Sequence, residues 1–399
     1  MATMEQSRSE YTYGLTEDQL AIREHVREVT RRYIEPRAAE IDERAEFPQD
    51  IRELLAEKDI FALPFREEHG GTGTGTTALL IAIEEMAKAC GTSALMLAVQ
   101  ELGALPIKLA GTEAQQQQYL PRLASGEWLA AYGLTEPESG SDSASMRTTA
   151  RLEGDEWVLN GSKRFITNGG VADVYVIFAK TDPDAGHRGI SAFIVEATAP
   201  GFSVGKLEHK MGIRGSTTAE LHFDDCRVPA AAILGEPGSG FPLAMQVLDR
   251  SRPGIAAQAL GHAQGALDYA GRYLLQREQF GKPLARQQGL QFMLADMQVK
   301  CTAGRELLYK VGWMIDTGAP REELTSYSAM AKLFCSDMAM EVTTDAVQLL
   351  GGYGYVSEYP VERLMRDTKI TQIYEGTNQV QRIVISRLLL AELERSLEA

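Results

Sequence analysis

"RLEGDEWVLNGSKRFITNG", residues 151–169, is the stretch on which the fold turns. Polar and apolar residues alternate through it, and the alternation centres on Asn160-Gly161, a dipeptide that signals a hairpin. A period of two places successive side chains on opposite faces of a strand. The runs that follow, "DVYVIFAKTD", "GISAFIVEATAPGFSVG" and "AELHFDDCRVPAAAILG", are also rich in β-branched and aromatic residues and are separated by turn residues. Residues 132–236 therefore predict a small β-domain.

The flanks have a different texture. In "TEDQLAIREHVREVTRRYIEPRA" Thr16 and Gln19 form a capping-box pattern, and Pro36 is expected to close the helix. "TTALLIAIEEMAKAC" and "TSALMLAVQELGALPIKLAG" are apolar over most of their circumference, which predicts buried helices, and "GTEAQQQQYLPRL" adds another capped one. Beyond residue 237 the helical period returns. In "LQFMLADMQVKCTAGRELLYKVGWMI" the residues Leu290, Leu294, Met297, Cys301, Gly304, Leu308 and Val311 make one apolar stripe. The plan is mainly α with a central β-domain: helices over 1–131, strands over 132–236 and a helical bundle over 237–399. No βαβ alternation appears.

At 399 residues, two or three domains are expected. A formal net charge of −15 argues against nucleic acid as a partner, since phosphate backbones call for basic surface. Cys90, Cys226, Cys301 and Cys335 are scattered and the six histidines are dispersed, so no disulfide framework and no metal site is expected. The polar start "MATMEQSRSEYTYG" lacks a signal-peptide core, and no run of about 18 apolar residues suggests a membrane span. The expectation is a soluble, cytoplasmic protein.

Six short motifs carry candidate chemistry. "AYGLTEPESGSDSASM" (131–146) concentrates hydroxyls and free N–H groups where helices hand over to strands, which suits the polar edge of a planar heterocycle as well as a domain linker. In "KRFITNGG" (163–170) Phe165 and Thr167 share a strand face. "LDRSRPG" (248–254) offers Asp249, Arg250 and Arg252, either as a solvated face or for an anion. "QREQFGKPL" (276–284) and "QLLGGYGY" (348–355) end helices in glycine turns that let a backbone approach a ligand. "TQIYEGTNQVQ" (371–381) sets Glu375 before a helix start, as a cap or as a reactive carboxylate. By contrast "HGGTGTGTT" (69–77) lacks the Lys of a phosphate loop and reads as a turn into a helix.

In order and spacing, "LTEPESGSD", "KRFITNGG", "REQFGKPL", "QLLGGYGY", "EYPVERLMRD" and "IYEGTNQVQR" resemble the acyl-CoA dehydrogenase family from about residue 15 to about 392. The similarity is nearest to the short-, medium- and branched-short-chain branch, which carries its catalytic Glu in the "YEGT" turn. The resemblance implies an N-terminal helical domain, a central β-domain and a C-terminal four-helix bundle, assembled as a homotetramer. It implies FAD-dependent α,β-dehydrogenation of an acyl-CoA, with hydride passing to flavin N5 and electrons then to electron-transfer flavoprotein. Position by position, Glu375 matches the base, its own N–H polarises the thioester oxygen, and Gly376 leaves room for the acyl chain. Tyr132, Leu134, Thr135, Gly140 and Ser141 match the flavin-ring loop. Phe165, Ile166 and Thr167 match the strand over the isoalloxazine. Ser141, Asp249 and Arg252 match contacts to the CoA portion. Arg277, Gln279, Phe280, Gln288, Gln348, Gly351 and Gly352 match residues that hold the FAD tail, largely of a neighbouring subunit, and Thr377, Asn378 and Gln379 the FAD diphosphate. The acyl chain is expected against the apolar helices at 76–110. Three residues depart from the pattern: Glu138 for a frequent Gly, Phe165 for a frequent Trp and Gln379 for a frequent Glu. Two alternatives use the same scaffold: an acyl-CoA oxidase, which usually carries a further C-terminal domain, and a non-catalytic flavoprotein binding module.

Overall fold

A computed structural model describes residues 14–398, so the reading of the first 13 residues lies outside the described part. Six helices come first: α1 (Glu17–Val29), α2 (Ala38–Arg44), α3 (Gln49–Glu57), α4 (Gly75–Ala87), α5 (Gly91–Ala110) and α6 (Glu113–Ala124). Reciprocal capping boxes, Thr16 with Gln19 and Thr112 with Gln115, open α1 and α6. Pro36 does not end the helical path. The chain widens into a π turn over Thr30–Ile34, tightens over Glu35–Arg37 and resumes as α2, which absorbs the proline's missing donor. The turn at 69–77 leads into α4, whose first N–H groups are capped from far away: Asp316 accepts from Thr76 N at 2.6 Å and Thr77 N at 2.9 Å.

Eight strands follow: β1 (Ala130–Gly133), β2 (Thr149–Glu153), β3 (Glu156–Thr167), β4 (Val174–Lys180), β5 (Ile190–Glu196), β6 (Phe202–Leu207), β7 (Thr218–Pro229) and β8 (Ile233–Leu234). They form one sheet of order β6-β7-β3-β2-β4-β5-β8, with β1 parallel to β4. Asn160-Gly161 is not the hairpin turn. The chain reverses at Gly154-Asp155, where Glu153 pairs with Glu156, and β3 runs on past residue 160 because β7 pairs along its length. Asn160 and Gly161 instead mark an irregularity in that pairing, and Asn160 exchanges hydrogen bonds with Asp225 at 3.0 and 2.9 Å.

The bundle comprises α7 (Gly240–Gln276), α8 (Gln288–Asp316), α9 (Arg321–Leu350), α10 (Pro360–Lys369) and α11 (Asn378–Glu398), with a two-stranded ribbon, β9 (Glu278–Gln279) and β10 (Lys282–Pro283), between α7 and α8. α9 packs against α7, α8, α10 and α11, and α4 and α5 pack on α7. Of the predicted α8 stripe, Met297, Cys301, Gly304, Leu308 and Val311 are buried, and Leu290 and Leu294 are half-buried. All four cysteines are free and buried. Among the described residues one helix, α5, is long and apolar enough to cross a membrane, and 78% of its apolar window is buried inside the fold.

Candidate active site

The turn before α11 is conformationally unusual. Glu375 has φ 52° and Gly376 φ 91°. A left-handed conformation is uncommon for a residue with a side chain and costs on the order of 1–3 kcal/mol, so surrounding contacts must enforce it. Three donors do so. Arg252 Nε donates to Glu375 O at 3.2 Å, while Lys332 Nζ and Gln381 Nε2 donate to Gly376 O at 2.9 and 2.8 Å. The preceding Tyr374 hydroxyl is tied to Gln258 Oε1. Thr377 caps α11, its Oγ1 accepting from Val380 N at 3.3 Å.

With its backbone held this way, Glu375 lines a cavity of about 810 Å³. Its Oε2 accepts a hydrogen bond from Ser251 Oγ at 2.7 Å. Burial pushes the carboxyl above the usual carboxylate range, and Ser251, Arg252 and Lys332 pull against that shift without cancelling it. Arg252 is placed by a proline device in α7. Pro253 has no N–H to give the carbonyl four residues back, and Ser328 Oγ supplies the missing donor to Asp249 O at 2.6 Å. The Asp249 carboxylate accepts from Arg252 Nη1 at 3.2 Å and from Thr325 Oγ1 at 2.7 Å. Asp249 is buried and does not reach the cavity surface, so it acts through Arg252.

The loop after β1 supplies Tyr132, Leu134, Thr135, Gly140 and Ser141 to the same cavity. A buried ion pair holds it: Lys163 Nζ of β3 donates to Glu136 Oε1 at 2.7 Å and to Leu134 O at 3.3 Å. Glu136 also accepts from Arg147 N at 2.6 Å and Thr148 N at 3.0 Å, which closes both ends of the loop. Burial lowers the Lys163 pKa to about 8, against the attraction of Glu136. The Tyr132 hydroxyl is buried without a hydrogen-bond partner, and burial drives its pKa upward. Glu138, the departure in this loop, is paired with Arg147 at 2.5 Å and does not line the cavity.

Phe165, Ile166 and Thr167 also line the cavity, but not through simple alternation. The β3–β7 register shifts between Lys163 and Ile166, and Phe165 takes φ 57°. The bulge turns Phe165 outward, 58% exposed, and leaves Ile166 buried. From α5, Leu95, Val99 and Leu102 complete an apolar wall with Phe241 and Met245 of α7. α4 lines none of it.

Gly376 and Thr377 join Glu375 at the cavity. Asn378 is buried with its side chain on α9, donating to Ser336 Oγ at 2.8 Å and Asp337 Oδ1 at 2.6 Å, and Gln379 faces solvent. Arg277, stacked over Tyr353 at 5.2 Å, lies away from the cavity. So do Gln279, Phe280, Gln288, Gln348, Gly351 and Gly352, all exposed, Phe280 at 92%. Ser251, Lys332, Lys163 and Glu136 are the residues that sequence reasoning missed. Ser251, Glu136 and Lys163 lie within quoted motifs and Lys332 does not, but a lysine in mid-helix or mid-strand gives no local sign of burial.

A helical layer, a middle sheet and a helical bundle meeting at a largely apolar cavity with Glu375 on its wall define a class. Family models described as the acyl-CoA dehydrogenase N-terminal, middle and C-terminal domains match residues 16–127, 131–226 and 238–390. The chain belongs to the acyl-CoA dehydrogenase family. It is 50% identical to the short-chain-specific acyl-CoA dehydrogenase of Clostridium acetobutylicum, over 94% of this chain and 98% of that one. The solved butyryl-CoA dehydrogenase of Megasphaera elsdenii superposes with a TM-score of 0.92 at 46% identity, covering 94% of this chain and 99% of that one. An acyl-CoA dehydrogenase of Bacillus anthracis solved in complex with FAD gives a TM-score of 0.90 at 33% identity, over 96% of this chain and 69% of that one.

Proposed function

We propose that this enzyme oxidises a short saturated acyl-CoA to the trans-2-enoyl-CoA, with Glu375 removing the α-proton. The observation that carries this is a half-buried carboxylate, raised in basicity by desolvation, on an enforced left-handed turn at the wall of a largely apolar cavity. An exposed Glu has a pKa near 4.3 and is a weak base toward carbon, so dryness is what suits Glu375 to the task. Its own backbone N–H is assigned to the thioester oxygen, where enolate-like charge develops. Gly376 leaves space beside the reacting carbons, and Ser141 and Arg252 flank the thioester. Asp249 contributes by orienting Arg252.

The cavity suits FAD in size and chemistry. Its volume of about 810 Å³ sits in the upper part of the range for cofactor sites. Tyr132 presents an unpartnered hydroxyl, Thr135 and Thr167 present further hydroxyls, and a Cβ on Gly140 would meet open space. Tyr132, Leu134, Thr135, Gly140, Ser141, Phe165, Ile166 and Thr167 would hold the ring system, and the α11 start at Thr377, Asn378 and Gln379 the diphosphate, Asn378 through its backbone alone. FAD, when bound, supplies the acceptor for the β-hydrogen and its electron pair. Arg277, Gln279, Phe280, Gln288, Gln348, Gly351 and Gly352 are assigned to the cofactor of a neighbouring protomer, which makes a homotetramer the working assembly. Exposed apolar residues along α11, among them Ile383, Leu390 and Leu393, support such an assembly. Electron-transfer flavoprotein is the assigned electron acceptor.

The names of the Clostridium and Megasphaera relatives support a short acyl chain, and the wall of Leu95, Val99, Leu102, Phe241 and Met245 supports an apolar one. Anaerobic flavin bleaching across straight, branched, aromatic and dicarboxylic acyl-CoAs tests the assignment. Butyryl-CoA should bleach fastest, and preference for a dicarboxylic or long-chain thioester would refute it. Reduction of electron-transfer flavoprotein should exceed peroxide yield in air, and the reverse would identify an oxidase.

A further inference from the structure

Directly beneath the Glu375 turn lies a lysine with no solvent exposure, Lys332 of α9. Its ammonium donates to Gly376 O at 2.9 Å and Asn378 Oδ1 at 2.8 Å, both neutral acceptors. A buried ammonium is costly unless an opposite charge accompanies it. The charged groups around Lys332 are Glu375 from the turn, Arg252 from α7 and Asp337 from its own helix. Asp337 is already paired with Arg382 of α11 at 2.8 Å, and Asp249 with Arg252 at 3.2 Å. Glu375 alone among these anions has no ion pair of its own, and both Lys332 and Arg252 act on it electrostatically.

We propose that Lys332 is a positioning residue for the dehydrogenation: it clamps the Glu375–Gly376 turn and serves as the buried counter-charge that keeps Glu375 ionised before substrate enters. This rests on Glu375 being the base. Burial also brings the Lys332 pKa down to about 7, so its charge responds within the working pH range. The sign follows directly. A cation near Glu375 favours its carboxylate, so removing that cation raises the pKa of the base and moves its acid limb to higher pH. Hydrogen bonding and charge are separable, because Gln at 332 can still donate to Gly376 O whereas Met cannot.

The test compares wild type, K332Q, K332M, K332R and E375Q by anaerobic stopped-flow flavin reduction with butyryl-CoA across about pH 5.5 to 9. K332Q should keep acyl-CoA affinity within about threefold, lose roughly tenfold in limiting reduction rate, and shift the acid limb up by about one pH unit. K332M should lose more, and K332R should return the limb towards its wild-type position. A lowered melting temperature with an unmoved limb in K332Q would reduce Lys332 to a structural anchor and overturn the proposal. Should the neutral variants fail to fold, wild-type protein still decides the matter. Infrared carboxyl-stretch spectra, with E375Q as the reference, should show Glu375 ionised at pH 7 without substrate, and a protonated Glu375 would overturn the proposal. Near-normal bleaching by E375Q would instead refute the base assignment, a different failure.

Discussion

Replacing Lys163 by Met tests whether the loop that lines the cavity is held by the Glu136–Lys163 pair. Lys163 is fully buried and Glu136 only 6% exposed, so water cannot take over when the ammonium goes. Glu136 would keep its bonds from Arg147 N and Thr148 N but lose its charge partner at 2.7 Å, and Leu134 O would lose its donor at 3.3 Å. Stranding one member of a buried pair typically destabilises by about 3–5 kcal/mol, whereas an exposed pair contributes about 0–1. The double variant E136Q/K163M removes the stranded charge and keeps an acceptor for the loop N–H groups. It should therefore be more stable than K163M by about 2 kcal/mol or more, because it no longer carries an uncompensated buried charge. Urea unfolding followed by far-UV circular dichroism on wild type, K163M and E136Q/K163M measures this. K163M should also bind FAD more weakly, because Leu134, Thr135 and Gly140 move with the loop. A loss below about 1 kcal/mol in K163M, or no recovery in the double variant, would refute the reasoning.

Three further outcomes follow from the geometry. In G376A a Cβ would come 2.7 Å from Gln381 Nε2 at a φ of 91°, so flavin reduction in stopped flow should fall by about tenfold or more; an unchanged rate would contradict the enforced turn. Because Glu375 is pushed above its ordinary value and is the base only when ionised, the reduction rate should fall with acid through a limb lying above about pH 4.3. Burial raises the Asp367 pKa from 3.8 to about 6, so the folded state binds the extra proton between those values and the charge opposes folding most fully above pH 6. D367N should therefore gain up to about 3 kcal/mol at pH 7.5, visible as a higher melting temperature, and the gain should vanish near pH 4.

What the sequence made legible was local. The capping boxes at Thr16 and Thr112 and the apolar circumference of α5 depend on residues a few positions apart, and each was readable without partners. The hairpin was misplaced because Gly154-Asp155 and Asn160-Gly161 are both good turn dipeptides, and only the pairing of β7 with β3 selects between them. The motifs located the cavity-lining residues from Tyr132 to Thr167 and Glu375 to Thr377. They could not locate the devices that hold them, since Lys163 finds Glu136 across 27 positions, Ser251 finds Glu375 across 124 and Lys332 finds Gly376 across 44. Asp316 caps α4 from 240 positions away, for the same reason.

The base assignment itself is tested most directly by E375Q. Gln keeps the size of Glu375, and its amide can still bond Ser251 Oγ, so the turn and its cavity should persist with the side chain neutral. The measurement is anaerobic mixing of FAD-loaded E375Q with butyryl-CoA, following flavin absorbance. The account predicts that E375Q retains FAD and perturbs its spectrum on binding acyl-CoA, while bleaching falls by at least about a thousandfold, the loss expected when the proton acceptor is removed. Bleaching at near the wild-type rate would contradict it.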